Sequence, residues 1–153
     1  MDVQPDGPRP VDWGLAHGLG TPRFAARRFT ASKLSLLRAR RFAYTTLTSW
    51  GLDQCADEAT LVAVELMTNA AEHALDADEY GGRDSAWLGL SCTARTVTCT
   101  VSDPSTRPPR NAPNDLLADT GRGMAIVAVL SDGWGCNILS DGTGKTVWAH
   151  LRT

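Results

Sequence analysis

A carboxylate ends the apolar row of a predicted strand in the stretch TVTCTVSD, residues 96–103. The side-chain period of two places Val97, Cys99, Val101 and Asp103 on one face of that strand. There, on the floor of a pocket, the Asp103 carboxylate could accept a hydrogen bond from a ligand N–H donor such as the exocyclic amine of adenine. The alternative is a strand-end aspartate that starts a turn before Pro104, which is a frequent arrangement.

Polar side chains also share one side of a predicted helix that contains the stretch ELMTNAAEHA, residues 65–74. At 100° per residue, Glu65, Asn69, Glu72, His73 and Asp76 fall on one stripe. Asparagine inside a helix costs about 0.5 kcal/mol relative to alanine, so its presence suggests a function. The same pattern also fits a helix side that simply faces water.

Two glycines flank Arg122 in the stretch TGRGMAIVAVL, where another helix is predicted to begin. Gly121 and Gly123 would let backbone N–H groups approach a phosphate closely, and the helix dipole favours the anion. A flexible helix start that is capped by a preceding side chain explains the same residues equally well.

The stretch DGTGKTVW, residues 141–148, looks at first like a Walker-type phosphate loop. That motif needs a glycine five residues before Gly144, where Leu139 stands. It also needs a helix afterwards, whereas residues 147–151 have the pattern of a strand. We therefore exclude a Walker site.

The elements that would position these residues are predicted from periodicity and turn signals. In chain order they are a short strand near 24–29, a helix from Ser32 to Trp50 that Gly51 ends, a helix over 54–76 capped by Asp53, a hairpin that turns at Ala94-Arg95, an irregular segment over 104–120, a helix over 123–131, and strands near 133–139 and 144–151. Since strands and helices do not alternate, we expect an α+β two-layer sandwich. We expect a flexible tail over 1–20, one domain over 21–153, and a lid, a binding loop or a disordered segment over 104–120.

Composition narrows the class of protein. The 153 residues are 42% apolar and 21% charged, as in an ordinary globular domain. The net charge of −2 gives no reason to expect nucleic acid or an anionic membrane as a partner. Neither a membrane span nor a signal peptide is recognisable, and the four cysteines lack metal-site spacing, so we expect reduced thiols in the cytoplasm.

Basic residues are concentrated in residues 21–50, which contain seven basic side chains and no acidic one. Such a run is usually a solvated face. The alternative is a docking surface for an acidic protein partner. Arg38 and Arg41 would belong to either, because they lie opposite the apolar stripe of the first predicted helix.

Four motifs in this order resemble the GHKL nucleotide-binding superfamily, which includes gyrase, histidine kinases and heat-shock chaperones. They are ELxTNAxxHA on a helix, aspartate at a strand end, GRG before a helix and GKTVW on a final strand. The resemblance covers roughly residues 24–151. Within the superfamily, the chain looks like an anti-sigma factor serine kinase, a regulator that holds a bacterial sigma factor inactive. The resemblance implies the Bergerat-type ATP-binding fold, a mostly antiparallel mixed sheet with helices on one face.

The resemblance assigns roles to three residues of the polar stripe. Glu65 would stand where the family keeps its catalytic base. Asn69 would supply an oxygen to the Mg²⁺ of Mg·ATP. His73 would lie further along the same face, beside the nucleotide.

It also assigns roles to the later motifs. Asp103 would be the adenine-binding aspartate, and Thr146 would support the adenine contact. Gly121, Arg122 and Gly123 would form the second glycine box, which contacts the nucleotide at the end of the lid.

The function that the resemblance implies is phosphorylation of a serine on an anti-sigma factor antagonist, with ATP and Mg²⁺ as cofactors and a sigma factor as the second protein partner. It leaves a homodimer open. The alternative is a non-catalytic module of the same fold that acts by sequestering its partners, and a small ATPase is a third candidate. Glu65 and Asn69 favour the enzyme, whereas PSTRPPR after Asp103, where the superfamily places glycines, favours the module.

Overall fold

A computed structural model describes residues 23–75, 84–107 and 119–153, with the backbone alone for 119–123. The predicted tail over 1–20 and most of the predicted lid lie outside these residues. Within them, five strands form one sheet: β1 (Arg23–Thr30), β2 (Ser85–Cys92), β3 (Thr96–Asp103), β4 (Gly133–Ile138) and β5 (Lys145–Arg152). Their order across the sheet is β1-β2-β3-β5-β4, and each of the four pairings is antiparallel.

Three helices are described: α1 (Lys33–Ser49), α2 (Asp53–His73) and α3 (Asp119–Leu130). α1 begins after Ser32, whose hydroxyl oxygen accepts a 3.1 Å hydrogen bond from the Ser35 backbone N–H and so satisfies one of the free donors of the first turn. It ends at Ser49, and Gly51 follows two residues later with a φ of 80°, a left-handed conformation that glycine adopts without a Cβ clash.

The core lies between the helices and one face of the sheet. α2 is the central helix, because it packs against α1, α3 and β3. The strands turn alternate side chains towards the helices, as the period of two predicts. The largest fully buried apolar side chains are Phe29, Leu47, Val62, Met67, Leu88, Leu90, Val97, Val101, Met124 and Val127. The predicted α+β two-layer architecture is therefore confirmed.

Three details differ from the sequence-based expectation. The sheet is antiparallel at every described pairing, not mixed. Asp53 is the first residue of α2 and not its cap, since Leu52 occupies the cap position, and no side chain of the described residues makes a capping hydrogen bond there. At that first position, the Asp53 carboxylate still interacts favourably with the helix dipole. α3 begins at Asp119, before the expected start near residue 123.

The hairpin between β2 and β3 turns where it was predicted, and the Thr93 N–H donates a 2.9 Å hydrogen bond to the Thr96 carbonyl. All four cysteines are free. Among the described residues, no helix is long and apolar enough to cross a membrane.

Candidate functional site

Asp103 is buried at the end of β3, where it forms an ion pair with Lys145, the first residue of β5. The lysine Nζ lies 2.9 Å from Asp103 Oδ1, and the two side chains are 3% and 2% exposed. The register of the sheet causes this contact, because Asp103 and Lys145 are direct partners across β3 and β5. Both side chains therefore point to the helix-covered face of the sheet, in line with the buried Val101 and Val147.

The same aspartate also starts a turn. The Ser105 N–H donates a 2.9 Å hydrogen bond to Asp103 Oδ1, which is an Asx-turn. The Ser105 hydroxyl in turn accepts a 3.1 Å hydrogen bond from the Arg107 N–H. The strand-end turn expected for Asp103 is therefore present, and the carboxylate is also buried, while its contact with a ligand stays a prediction.

Oδ2 of this carboxylate has no hydrogen-bond partner among the described residues. The hydrogen bonds that Asp103 accepts within the described part of the chain both end on Oδ1. Burial raises the pKa of the Asp103 carboxyl, and the Lys145 ammonium and the Ser105 N–H partly offset that rise. A carboxylate oxygen in such a site is a strong acceptor for an N–H donor.

Gly144 allows β5 to come this close to Asp103. A Cβ at Gly144 would overlap the Asp103 carbonyl oxygen and lie 3.2 Å from the Pro104 Cα. The overlap is with backbone atoms, which cannot rotate away as a side chain can. A residue larger than glycine would therefore push apart the strand ends that carry Asp103 and Lys145.

The Thr146 hydroxyl lies on the other face of the sheet. It is 2.8 Å from the Ser102 hydroxyl. Ser102 precedes Asp103 on β3, Thr146 follows Lys145 on β5, and the two residues are register partners. Successive side chains of a strand point to opposite faces, so these hydroxyls are on the opposite side from the Asp103 carboxylate. The β5 residue that contacts that carboxylate is Lys145, which was not predicted to belong to the site.

The polar stripe of α2 does not simply face water. Glu65, Asn69 and His73 are half-buried, and only Glu72 is exposed among the described members of the stripe. The Asn69 Nδ2 atom is buried with no hydrogen-bond partner in the described residues, and so is His73 Nε2, whose nearest carboxylate oxygen is Glu72 Oε1 at 4.0 Å. A buried amide without a partner costs about 1–3 kcal/mol, which is a reason to look for a ligand.

Glu65 lies one helical turn before Asn69 on α2. Burial raises the pKa of its carboxyl, and the negative charge of Glu72 raises that pKa further. A carboxylate with a raised pKa holds a proton more tightly, which suits it to act as a general base near neutral pH.

Gly121, Arg122 and Gly123 lie within the first five residues of α3, not before the helix. The first N–H groups of a helix have no partner inside it, so they are available to an anion such as a phosphate. The buried Met124 follows them directly and anchors this part of α3 in the core. α2 packs against both α3 and β3, and so it connects the three parts of the predicted site.

The donor set fits a nucleotide with its metal better than a metal ion alone. Among the described residues, no group of three or more His, Cys, Asp or Glu side chains could hold a metal ion. Mg²⁺ is commonly bound by one or two protein oxygens together with substrate phosphates. The amide of Asn69 can turn its oxygen towards the metal ion, or donate a hydrogen bond from Nδ2 to a phosphate oxygen.

Comparison with known proteins agrees with this geometry. A family model described as a histidine kinase-like ATPase domain matches residues 29–151. A search of curated proteins finds no match. The matched range begins near the end of β1, ends within β5 and contains every candidate residue discussed above.

Proposed function

Because the chain belongs to the histidine kinase-like ATPase domain family, we propose that it binds Mg·ATP and phosphorylates a serine on a protein partner. The proposed partners are those of the anti-sigma factor kinases that its motifs resemble: a sigma factor, which the protein would hold inactive, and the antagonist that carries the serine. The observation that carries this proposal is the buried Nδ2 of Asn69, which has no hydrogen-bond partner among the described residues and lies one helical turn after a carboxyl of raised pKa.

The base-binding part of the proposed site is Asp103. Its Oδ2 would accept the hydrogen bond of the adenine amino group, while Oδ1 is held by Lys145 and by the Ser105 N–H. A ligand N–H bound to a charged acceptor in a buried site contributes about 1.5–3 kcal/mol.

The phosphate-binding part is formed by α2 and the start of α3. Asn69 would supply the protein oxygen to Mg²⁺, and His73 would lie along the same stripe. The N–H groups around Gly121 and Gly123, together with Arg122, would hold phosphate oxygens. When bound, Mg·ATP supplies a phosphoryl group whose negative charge the metal neutralises.

Glu65 would be the catalytic base, accepting the proton of the serine hydroxyl. Its burial and the nearby charge of Glu72 both raise its pKa, so it binds a proton more readily than an exposed glutamate. General bases of this kind contribute roughly 10²–10⁴-fold to a rate.

A second candidate function is a non-catalytic module that binds partners without transferring phosphate. The turn after Asp103 favours it, because Ser105 is 1% exposed and hydrogen-bonded there, at a position where the superfamily has glycines. A fixed turn would move less than a glycine-rich segment when a ligand enters.

Two substitutions on α2 separate the enzyme from the module. In the enzyme, Asn69→Ala should weaken Mg²⁺-dependent ATP binding and abolish transfer together. Glu65→Gln should leave ATP bound and slow the transfer by roughly 10²–10⁴-fold. The measurements are calorimetric titration with ATP, with and without Mg²⁺, and labelling of the antagonist with radioactive ATP. Glu58→Gln on the exposed side of α2 and Asn137→Ala on β4 are matched controls, since both residues are exposed.

The outcomes distinguish the two functions. If the unmodified protein binds a sigma factor tightly but transfers no phosphate to any antagonist of its own cell, the module is correct and the kinase is wrong. If Asn69→Ala binds Mg·ATP as tightly as the Asn137→Ala control, the proposed metal contact is wrong.

A further inference from the structure

Lys145 is a buried cation to which the proposed function assigns no contact with the ligand. It is one of two lysines in the chain, and the other, Lys33, is exposed at the start of α1. Lysine is almost never fully buried unless it is paired, and Lys145 is 3% exposed with its Nζ on Asp103 Oδ1. Its position at the head of the buried row of β5 is fixed by the register with β3.

A purely structural role explains this pair poorly. β3 and β5 are already joined over eight consecutive register partners, so the sheet does not depend on one ion pair at its end. Two apolar side chains of similar volume would hold the strands as well or better, because removing two charges from water is costly. The pair also includes the carboxylate whose second oxygen has no hydrogen-bond partner among the described residues.

We propose that Lys145 is a positioning and specificity-determining residue of the nucleotide site. It holds Oδ1 of Asp103, so that Oδ2 is presented to the amino group of the ligand, and it offers a further N–H of its Nζ to an acceptor beside that amino group. The inference rests on the proposed ATP binding, because it names the part of that ligand which the two side chains recognise.

The pair selects a base edge on which a donor lies next to an acceptor. Adenine presents its 6-amino group beside the ring nitrogen N1, which matches one carboxylate oxygen and one ammonium N–H. Hypoxanthine presents an oxygen and a ring N–H in the same two places, so both matches are reversed. A lysine ammonium can donate three hydrogen bonds and accepts none, and an ionised carboxylate only accepts, so neither group can adapt to the reversed edge.

The charge of Lys145 also influences the protonation state in which the Asp103 carboxyl binds its ligand. Burial raises the pKa of the Asp103 carboxyl, and Lys145 is the charged group that lowers it. From β4, the thiol of Cys136 is close enough to be influenced by both charges, and burial raises the pKa of this thiol. Without Lys145, the pKa of Asp103 would rise further, and the protonated carboxyl could donate a hydrogen bond as well as accept one.

The test compares binding of ATP with binding of inosine triphosphate, which differs only at that base edge. Calorimetric titrations at constant Mg²⁺ would use the unmodified protein, Lys145→Met, and Lys33→Met as the matched control. The unmodified protein and Lys33→Met should bind ATP at least about tenfold more tightly than inosine triphosphate, since the wrong base leaves buried groups unpaired. Lys145→Met should lose most of this preference.

The pH profile excludes a merely structural effect. In Lys145→Met, the preference for ATP should recover as pH rises and Asp103 ionises, with a midpoint at higher pH than in the unmodified protein. If Lys145→Met does not fold, Asp103→Asn/Lys145→Met removes both charges, so that no buried charge is left unpaired, and it should show no preference at any pH.

Each result bears on one proposal or on both. An unchanged preference and pH profile in Lys145→Met, or a preserved preference in the double variant, would overturn the role of Lys145 while ATP binding stands. An unmodified protein that binds neither nucleotide would overturn the nucleotide site and this inference together.

Discussion

Replacement of Gly144 by alanine tests how closely β3 and β5 must approach at the buried ion pair. The added Cβ would overlap the Asp103 carbonyl oxygen and stand 3.2 Å from the Asp103 carbonyl carbon and the Pro104 Cα. Real Cβ atoms essentially never come as close to a backbone atom as this oxygen would be. The strand ends must therefore separate to accept the methyl group.

The loss of stability in Gly144→Ala depends on how far the contacted atoms can move, and backbone atoms can move little. Overpacking of a well-packed site costs about 1–3 kcal/mol, and the backbone position of this clash puts Gly144→Ala near the upper end, at about 2–3 kcal/mol. For a chain of this size, each kcal/mol lowers Tm by about 2–4 °C, so we expect a fall of about 5–10 °C. Separation of the strand ends would also displace Asp103 from Lys145, so ATP affinity should decrease with stability.

Thermal unfolding followed by circular dichroism measures the first effect, and calorimetric titration with Mg·ATP measures the second. Gly133→Ala is the matched control, because a Cβ at Gly133 on β4 has no atom within 4 Å and its Tm should change by no more than about 2 °C. A Tm of Gly144→Ala within about 2 °C of that control would refute the close approach as the reason for glycine at this position.

Two further predictions concern the surface of α1 and the buried thiols. Charge reversal at the exposed Arg38 and Arg41 should change the free energy of unfolding by no more than about 0.5 kcal/mol. If α1 docks an acidic partner, association with that partner should slow and depend less on salt. Unchanged association rates with the sigma factor and with the antagonist would mean that the basic run is a solvated face. Burial raises the pKa of Cys99 to about 12, so at pH 8 this thiol should resist a thiolate-specific reagent in the folded protein and react once the protein is denatured. In the folded protein it should also react more slowly than the half-buried Cys92 and Cys136. Above about pH 9 the same shift should lower stability, because the unfolded chain releases the thiol proton more readily than the folded chain; equal labelling rates before and after denaturation would contradict the burial.

The elements that the sequence predicted well are those whose signal is local. The alternation of side chains in TVTCTVSD predicted β3, and Gly51 predicted the end of α1. Both signals are local, because the side-chain period and a left-handed backbone are determined within a few residues. The two helix starts that were misplaced, at Asp53 and Asp119, depend on which backbone N–H groups are left unsatisfied in the folded chain. Several polar residues near each start could cap equally well by sequence alone.

The residues of the candidate site also divide into those with a local sequence signal and those whose contacts depend on the sheet register. Asp103 was recognisable because a carboxylate ends an apolar row within its own strand. Its partner Lys145 was not, since the contact joins residues 42 positions apart and depends on the register between β3 and β5. A signal was present, because Lys145 begins the row that continues with Val147 and Ala149, in the same way that Asp103 ends its own. Two opposite charges at the ends of two buried rows would have suggested that the strands are neighbours.

The two parts of the site differ in what the protein gains from a ligand. In the base-binding part, Asp103 Oδ1 already has partners in Lys145 and the Ser105 N–H, so a single substitution that leaves one buried charge unpaired should lower stability as well as affinity. On α2, Asn69 keeps a buried donor without a partner in the described residues, and that desolvation cost of about 1–3 kcal/mol is present whenever no ligand is bound. Removing the amide with Asn69→Ala should therefore leave the unliganded protein as stable as before, or more stable, while the stabilisation that saturating Mg·ATP gives the unmodified protein should be largely lost. A variant that loses stability to the same extent with and without Mg·ATP would mean that the amide serves the fold, and the strongest support for the kinase over the sequestering module would be gone.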